Sequence, residues 1–254
     1  MSATPLGFGK LRSGFREKAM PDGSTYPRLV GIGLYTVADA ARLLHMPAGM
    51  ARRWINGYSY RDRGEQHHSG PLWPTDIAPV DDNPRGLSFR DLMELRMVHA
   101  LVDNGVPLQA VRRGIEIARS EIGEDRPLST ARLKTDGMSW FLQVGQETAE
   151  PRLVDLVKRR GQYGFHALIA PSFQDVDFEG IEPARWWPLG HGAAIVLDPR
   201  QRFGSPIVAE YGVPTATLAL AAQAEGSEAA VARYYEIPIK VVRSAIEFER
   251  GLAA

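Results

Sequence analysis

The sequence predicts a mostly α-helical protein with small β elements. It divides into an N-terminal winged helix-turn-helix, a central α/β segment and a C-terminal helix-turn-helix. Three observations carry that prediction. The stretch Thr36 to Tyr58, TVADAARLLHMPAGMARRWINGY, stops one apolar-striped helix at a proline and at once begins another. The stretch Ser227 to Ile246, SEAAVARYYEIPIKVVRSAI, repeats that plan. Elsewhere the longer apolar patterns recur at helical steps, and only short runs suit strands.

Residues 1–30 carry glycine, serine, proline and scattered charge without periodicity, and are expected to form a flexible arm. The winged unit is expected over 31–120. Its first helix opens at Thr36, whose hydroxyl suits an orphan backbone N–H, and runs with Val37, Ala40, Ala41, Leu43 and Leu44 on one face. Pro47 disfavours helix at Met46 and is tolerated at the start of the next helix, Ala48 to Asn56, which Gly57 ends. The connection 58–86 is polar and proline-rich; Leu72-Trp73-Pro74 and Ile77-Ala78-Pro79-Val80 are read as short strands. Ser88 then caps a helix with Asp91 as its return partner. Asn104-Gly105 ends it, and Pro107 starts another helix with Val111, Ile115 and Ile117 inward.

The central segment is assigned 121–195. Asp136-Gly137 between Arg132-Leu133-Lys134 and Met138 to Leu142 predicts a β-hairpin. Leu153 to Arg160 predicts a short helix, and Ala194 to Leu197 a strand. Residues 196–254 form the C-terminal unit, with helices at 214–224, 227–235 and 239–252. Shifted by 191 positions, Ala38, Ala41, Arg42, Pro47, Arg52 and Ile55 meet Ala229, Ala232, Arg233, Pro238, Arg243 and Ile246. Small residues at the crossing, an apolar plug and a proline are the grammar of a helix-turn-helix.

Composition narrows the function. The 254 residues contain no cysteine, so disulfides, thiolate nucleophiles and thiolate metal sites are excluded. No apolar run is long enough to span a bilayer or to serve as a signal peptide, and a soluble cytoplasmic protein without membrane contact is expected. Net charge is zero, yet residues 1–63 hold ten lysines and arginines against four acids. That front third carries +6 and the remainder −6, which points to an anionic partner for the front. No Gly-x-Ser-x-Gly elbow, phosphate loop or His-Glu-x-x-His motif is present, so no catalytic residues, cofactor or metal are expected. Adjacent His67-His68 is a loop feature, and Asp175, Asp177, Glu179 and Glu182 read as a solvated loop.

Residues 34–119 resemble the winged DNA-binding domain of MerR-type regulators. The likeness rests on Tyr35 to Ala41, on Arg52-Arg53-Trp54, and on the block Leu87 to Leu92 followed by Gly105-Val106-Pro107-Leu108 and Val111. The connection between the second helix and Ser88 is longer than that family has. Residues 195–250 resemble a small uncharacterised family of helix-turn-helix domains found in antitoxins. That likeness rests on Leu197 to Arg200, Gly204 to Val208, Pro214-Thr215 and the tract Gly226 to Ala245. Glu210-Tyr211-Gly212-Val213 stands where that family has Gly-Thr-Arg-Ile. The combination resembles VapB-type antitoxins, whose cognate toxins are PIN-like ribonucleases.

The resemblance implies an antitoxin that neutralises such a toxin and represses its own operon as a homodimer on a double-stranded DNA operator. The dimer is expected through the helix at 107–119 or through the C-terminal helices. The second helix would enter the major groove with Arg52, Arg53 and Asn56, while Tyr58, Arg61, Arg63 and the helix start at Thr36 meet phosphates. Trp54 is expected in the core. Trp186, Trp187, Tyr234 and Tyr235, with Phe173 and Phe178, are the exposed aromatics expected to hold the toxin. A stand-alone MerR-like transcriptional regulator whose residues 120–195 sense a small molecule is the alternative.

Overall fold

The computed structural model describes residues 31–77, 86–148, 165–167 and 169–253. The expected arm at 1–30 and helix at 153–160 lie outside the described residues. The chain is mostly helical with two small sheets. Thr36 opens α1 (Val37–Leu43) through a full capping box with Asp39. Pro47 is the N-cap of α2 (Ala48–Asn56), and Gly57 closes it. Ser88 and Asp91 form a second capping box on α3 (Phe89–Asp103), and α4 (Leu108–Ile122) follows Pro107. The starts match the sequence reading within a residue, because caps and prolines act locally, whereas α1 stops three residues before the expected Met46 and α4 runs three residues past the expected 119.

The turn between α1 and α2 is built three times. His45 takes φ 49°, Met46 is buried, and Met46 N–H donates to Ala41 O at 2.9 Å before Pro47 opens the next helix. In the second copy Gly105 (φ 88°) precedes buried Val106, whose N–H donates to Leu101 O at 3.0 Å before Pro107. In the third, Glu236 (φ 56°) precedes buried Ile237, whose N–H reaches Ala232 O at 3.0 Å before Pro238. One left-handed residue reverses the chain, one apolar residue plugs the crossing, and proline restarts the helix without wasting an N–H. The spacing of 191 seen in sequence is thus a real repetition of backbone geometry.

Two expectations for the middle of the chain need correction. The predicted hairpin at 132–142 is instead the helix α5 (Arg132–Thr148). Leu133, Trp140, Phe141 and Val144 are fully buried along one helical face, a period that overrides the Asp-Gly signal. Gly137 serves packing rather than turning: a Cβ there would meet Leu133 Cδ1 at 2.6 Å and Phe165 Cε1 at 2.9 Å. Leu72 and Trp73 are buried in irregular chain, not a strand. Leu72 N–H donates to Trp54 O, and the Trp73 indole donates to Asp91 Oδ1, each at 2.9 Å. Ile77 makes an isolated bridge to Gly86; residues 78–80 lie outside the described set.

Two β units complete the fold. A two-stranded hairpin joins β1 (Tyr58–Asp62) and β2 (Glu65–Ser69). A five-stranded antiparallel meander runs β3 (Val176–Glu179), β4 (Glu182–Trp186), β5 (Ile195–Leu197), β6 (Pro206–Val208) and β7 (Val213–Pro214), in that order. This sheet crosses position 195, so its strands come from both the central and the C-terminal segments. The helices α6 (Thr215–Glu225), α7 (Glu228–Tyr234) and α8 (Ile239–Ala253) end the chain.

The main core unites the N-terminal helices with the sheet: Phe248 and Leu252 of α8, Trp186, Ile195 and Leu197 share one cluster with Tyr35, Trp54, Leu92 and Trp140. The Tyr35 hydroxyl donates to Gly204 O at 2.8 Å, which ties the two ends of the chain. A buried polar knot fixes the start of α3. Asp91 accepts from the Trp73 indole, from Ser88 N–H at 2.9 Å and from Arg126 Nε at 2.9 Å; Arg126 also pairs with Asp76 at 2.8 Å. Glu94, one turn on, accepts from the N–H groups of Leu128 (3.2 Å) and Ser129 (2.7 Å). A second, smaller cluster of Val208, Leu218, Val231, Ile237, Val242, Ala245 and Ile246 holds the C-terminal helices together.

Candidate nucleic-acid interface

The face of α2 and the β1–β2 hairpin brings most of the expected DNA-binding residues together. Inside, Ala51, Trp54 and Ile55 anchor α2 to the core, so Trp54 is a core residue as expected. Outside, Arg52, Arg53 and Asn56 are exposed. Among the described residues neither Arg52 nor Arg53 has an ion pair or side-chain hydrogen bond; Arg53 hovers 6.0 Å over the Tyr58 ring. Arg61 and Arg63 on the hairpin are likewise exposed and unpaired among the described residues. Four exposed guanidinium groups without internal partners among the described residues leave this surface suited to a polyanion.

The hairpin has its own local logic. Its two-residue turn is Arg63-Gly64, with φ of 48° and 90°, the pair of positive angles that matches the twist of an antiparallel ribbon. Glycine adopts this freely, whereas arginine does so at a cost. A strained arginine therefore sits at the tip. One face of the ribbon is aromatic: Tyr58 and Tyr60 lie side by side, and Tyr60 stacks on His67 at 5.4 Å. On the other face Ser59 Oγ contacts His68 Nδ1 at 3.2 Å. His67 and His68 are thus strand residues rather than loop. No group of three or more potential metal-ligating side chains occurs among the described residues.

Tyr60 and Arg112 belong to this region and escaped the sequence reading, and His67 was read only as loop. The alternation Tyr58-Ser59-Tyr60 before Arg63-Gly64 was the available signal for the strands. Arg112 had none: it sits on α4 and reaches across to Pro71 O (2.8 Å), Gly70 O (2.9 Å) and Ser69 Oγ (3.3 Å), pinning the base of the hairpin. At the other root, Gly57 has φ 76°, and a Cβ there would come 2.5 Å from Ser69 O. The helix α2 and the hairpin are therefore held as one surface.

Thr36 departs from its expected role. Its hydroxyl donates to Asp39 Oδ2 at 2.7 Å, and the Asp39 N–H returns a bond at 3.0 Å. With its proton committed and a carboxylate beside it, Thr36 is poorly placed to donate to a phosphate.

The expected partner-binding aromatics divide. Trp186, at the end of β4, is 5% exposed because it packs into the main core, and Arg96 stacks over its ring at 4.7 Å. Burial is the main influence that lowers the Arg96 pKa, to about 10. Trp187 is half-buried and its indole N–H donates to Asp177 Oδ2 at 3.0 Å. Phe173 is buried and Phe178 half-buried under Lys134, whose ammonium lies 4.7 and 5.1 Å from the two rings. None of these four is an exposed anchor. Tyr234, by contrast, is 82% exposed, and the half-buried Tyr235 supports it edge-on.

The acidic run is structured as well. Asp175 and Asp177 clasp His191 at 3.1 and 2.9 Å, Glu179 pairs with Arg200, and Glu182 pairs with Arg90 at 2.7 Å. The hydrogen bond to Asp177, then that to Asp175, raises the His191 pKa.

The third helix turn is electrically different from the first. Arg243, which occupies the place of Arg52, is paired to Glu228 at 2.8 Å. Ser244 and Glu247 stand where the first copy has Arg53 and Asn56. On the exposed face of α8 Arg243 is thus neutralised and Glu247 replaces Asn56, while Lys240 stays exposed without an ion pair among the described residues.

Residues 33–115 match a family described as "Putative DNA-binding HTH domain". Over 224 residues, 85% of this chain, the sequence is 26% identical to the Mycobacterium tuberculosis protein named "Putative antitoxin VapB45", of which 93% is covered. It is 25% identical over 224 residues to the uncharacterised protein Rv2308 of the same organism, 90% of which is covered. The crystal structure of Rv2018 from Mycobacterium tuberculosis matches with a TM-score of 0.65 at 25% identity, over 85% of this chain and 99% of that one. The family match covers the N-terminal helix-turn-helix, and the antitoxin name belongs to the mycobacterial relative. No helix among the described residues is long and apolar enough to cross a membrane.

Proposed function

We propose that the chain is the antitoxin of a toxin–antitoxin pair, which binds its own operator as a homodimer and neutralises a PIN-like ribonuclease. The observation that carries the DNA half is the surface of unpaired Arg52, Arg53, Arg61 and Arg63 on α2 and its hairpin. In this reading Arg52, Arg53 and Asn56 meet base edges or phosphates in the major groove. Tyr58, Arg61 and Arg63 follow the flanking backbone, as in a MerR-like wing. The paired Arg243 and the acidic Glu247 suit the second helix-turn-helix to protein contacts rather than to DNA. The toxin half is supported by the antitoxin relative and by the −6 charge of residues 64–254, which complements a ribonuclease cleft built to hold RNA.

The test is a nuclease titration. The protein encoded beside this chain is purified and its RNA cleavage measured while the full chain is added. The reading expects cleavage to stop near one chain per nuclease; undiminished cleavage at excess chain contradicts it.

One observation favours the alternative of a ligand-sensing regulator. A cleft of about 450 Å³ lies between the start of α3 (Ser88, Phe89, Arg90), the strands at Glu179 and Glu182, and the loop residue Arg200. A small molecule that raises the melting temperature and shifts operator affinity would support that reading.

A further inference from the structure

The C-terminal helices leave one apolar face uncovered. Residues 215–224 of α6 carry no charge, yet only Thr215 and Leu218 of this helix are buried. Thr217, Leu220, Ala221 and Ala224 recur at three- and four-residue steps and so share a side. Leu220 is 66% exposed, and with Tyr234 of α7 it supplies the two most exposed large apolar side chains among the described residues. Between α6 and α7 lies a groove of about 440 Å³, lined by Ala221, Val231, Tyr234 and Tyr235 and flanked by Glu225 and Arg233. Tyr234 is held by edge-on contact with Tyr235 at 5.1 Å, so little freedom remains to lose on binding.

We propose that this face is the homodimer interface, and that its occupant is a second copy of the chain. The charges argue for self over another partner. Glu225 and Arg233, one of each sign, flank the same groove, and neither has a side-chain partner among the described residues. A two-fold axis sets each against its opposite on the other copy, as an isologous contact requires. A basic nuclease would be served by an acidic groove, and this one is neutral. The other expected route, through α4, offers no apolar face: its apolar side is packed in the main core with α5, and its outer side carries the ion pairs of Arg113 with Glu116 and Glu147. Alanines on α6 allow close helix approach, and Tyr234 is the protruding side chain that the facing groove receives.

The test is the solution mass of the full chain by sedimentation and light scattering at micromolar concentration. Wild type is expected at twice 28.0 kDa. Tyr234→Ala should weaken dimerisation by about thirtyfold, the scale of an aromatic hot spot. Glu225→Arg and Arg233→Glu should each give monomers, and the double swap should restore the dimer. Circular dichroism melts establish that each variant is folded, and a folded Leu220→Glu monomer gives an independent check. A monomeric wild type, or single-charge variants that stay dimeric, would overturn the proposal. So would a wild type that pairs only with the neighbouring nuclease through this face. Arg52→Ala should lose DNA and remain dimeric, so failure of the DNA reading and failure of this one are distinguishable.

Discussion

The Arg112 guanidinium donates to the Pro71 carbonyl at 2.8 Å, and this bond ties α4 to the base of the β1–β2 hairpin. Two further donations, to Gly70 O and Ser69 Oγ, complete the clamp. Arg112→Met should therefore cost about 1–3 kcal/mol of stability, because two carbonyls lose their donor. It should also weaken operator binding while leaving the salt slope unchanged, since Arg112 positions the hairpin rather than meeting phosphate. Paired chemical melts and salt-dependent DNA titrations measure both effects.

The strained turn at Arg63 makes a prediction of opposite sign for stability and binding. Arg63→Asn replaces a residue that resists φ 48° by one that tolerates it. The hairpin should gain roughly 0.5–1 kcal/mol. If Arg63 reaches a phosphate, the log–log salt slope of DNA binding should fall by about one. A more stable variant with unaltered slope would remove Arg63 from the interface.

The polar knot under α3 should be intolerant of partial removal. Arg126 is 3% exposed and Asp91 is fully buried, so Arg126→Met leaves an uncompensated carboxylate. The expected loss is about 3–5 kcal/mol in urea melts. Combining it with Asp91→Asn should cost less than the two changes summed, because the charge to be compensated is gone.

Glu94 gives a pH dependence. Burial raises its pKa to about 7, against the opposing N–H bonds from Ser129 and Leu128. A raised pKa means that the folded state holds its proton more tightly. The contribution is full below the unfolded value near 4.5 and is lost as pH rises through about 7, on the order of 3 kcal/mol. His191, also raised, moves in the same direction at the surface. Stability should fall between about pH 5 and 7.5, and Glu94→Gln should flatten most of that fall.

How much of this was legible depended on the range of the forces involved. Thr36, Pro47, Gly57, Ser88 and Pro107 mark helix ends through their own backbone chemistry, and they were read correctly. Asp136-Gly137 misled because the buried helical face of Leu133, Trp140, Phe141 and Val144 outweighs a turn signal, and Gly137 instead makes room for Leu133 and Phe165. The hairpin was hidden because its turn uses arginine where asparagine is usual. Trp186 and Phe173 read as exposed anchors, yet sheet formation over the N-terminal helices turned them inward. The repeat at 191 residues was visible as letters. That its arginine is neutralised followed from Glu228, which lies one turn away only after the helices cross.

The most direct measurement of the central claim is a salt-dependent titration of the chain's own promoter duplex with wild type, Arg52→Ala, Arg53→Ala and Arg243→Ala. Each of the first two variants is predicted to lose about 1–3 kcal/mol of binding, and Arg243→Ala to bind like wild type. Arg52→Ala and Arg53→Ala proteins that are folded and bind the duplex as tightly as wild type would contradict the account.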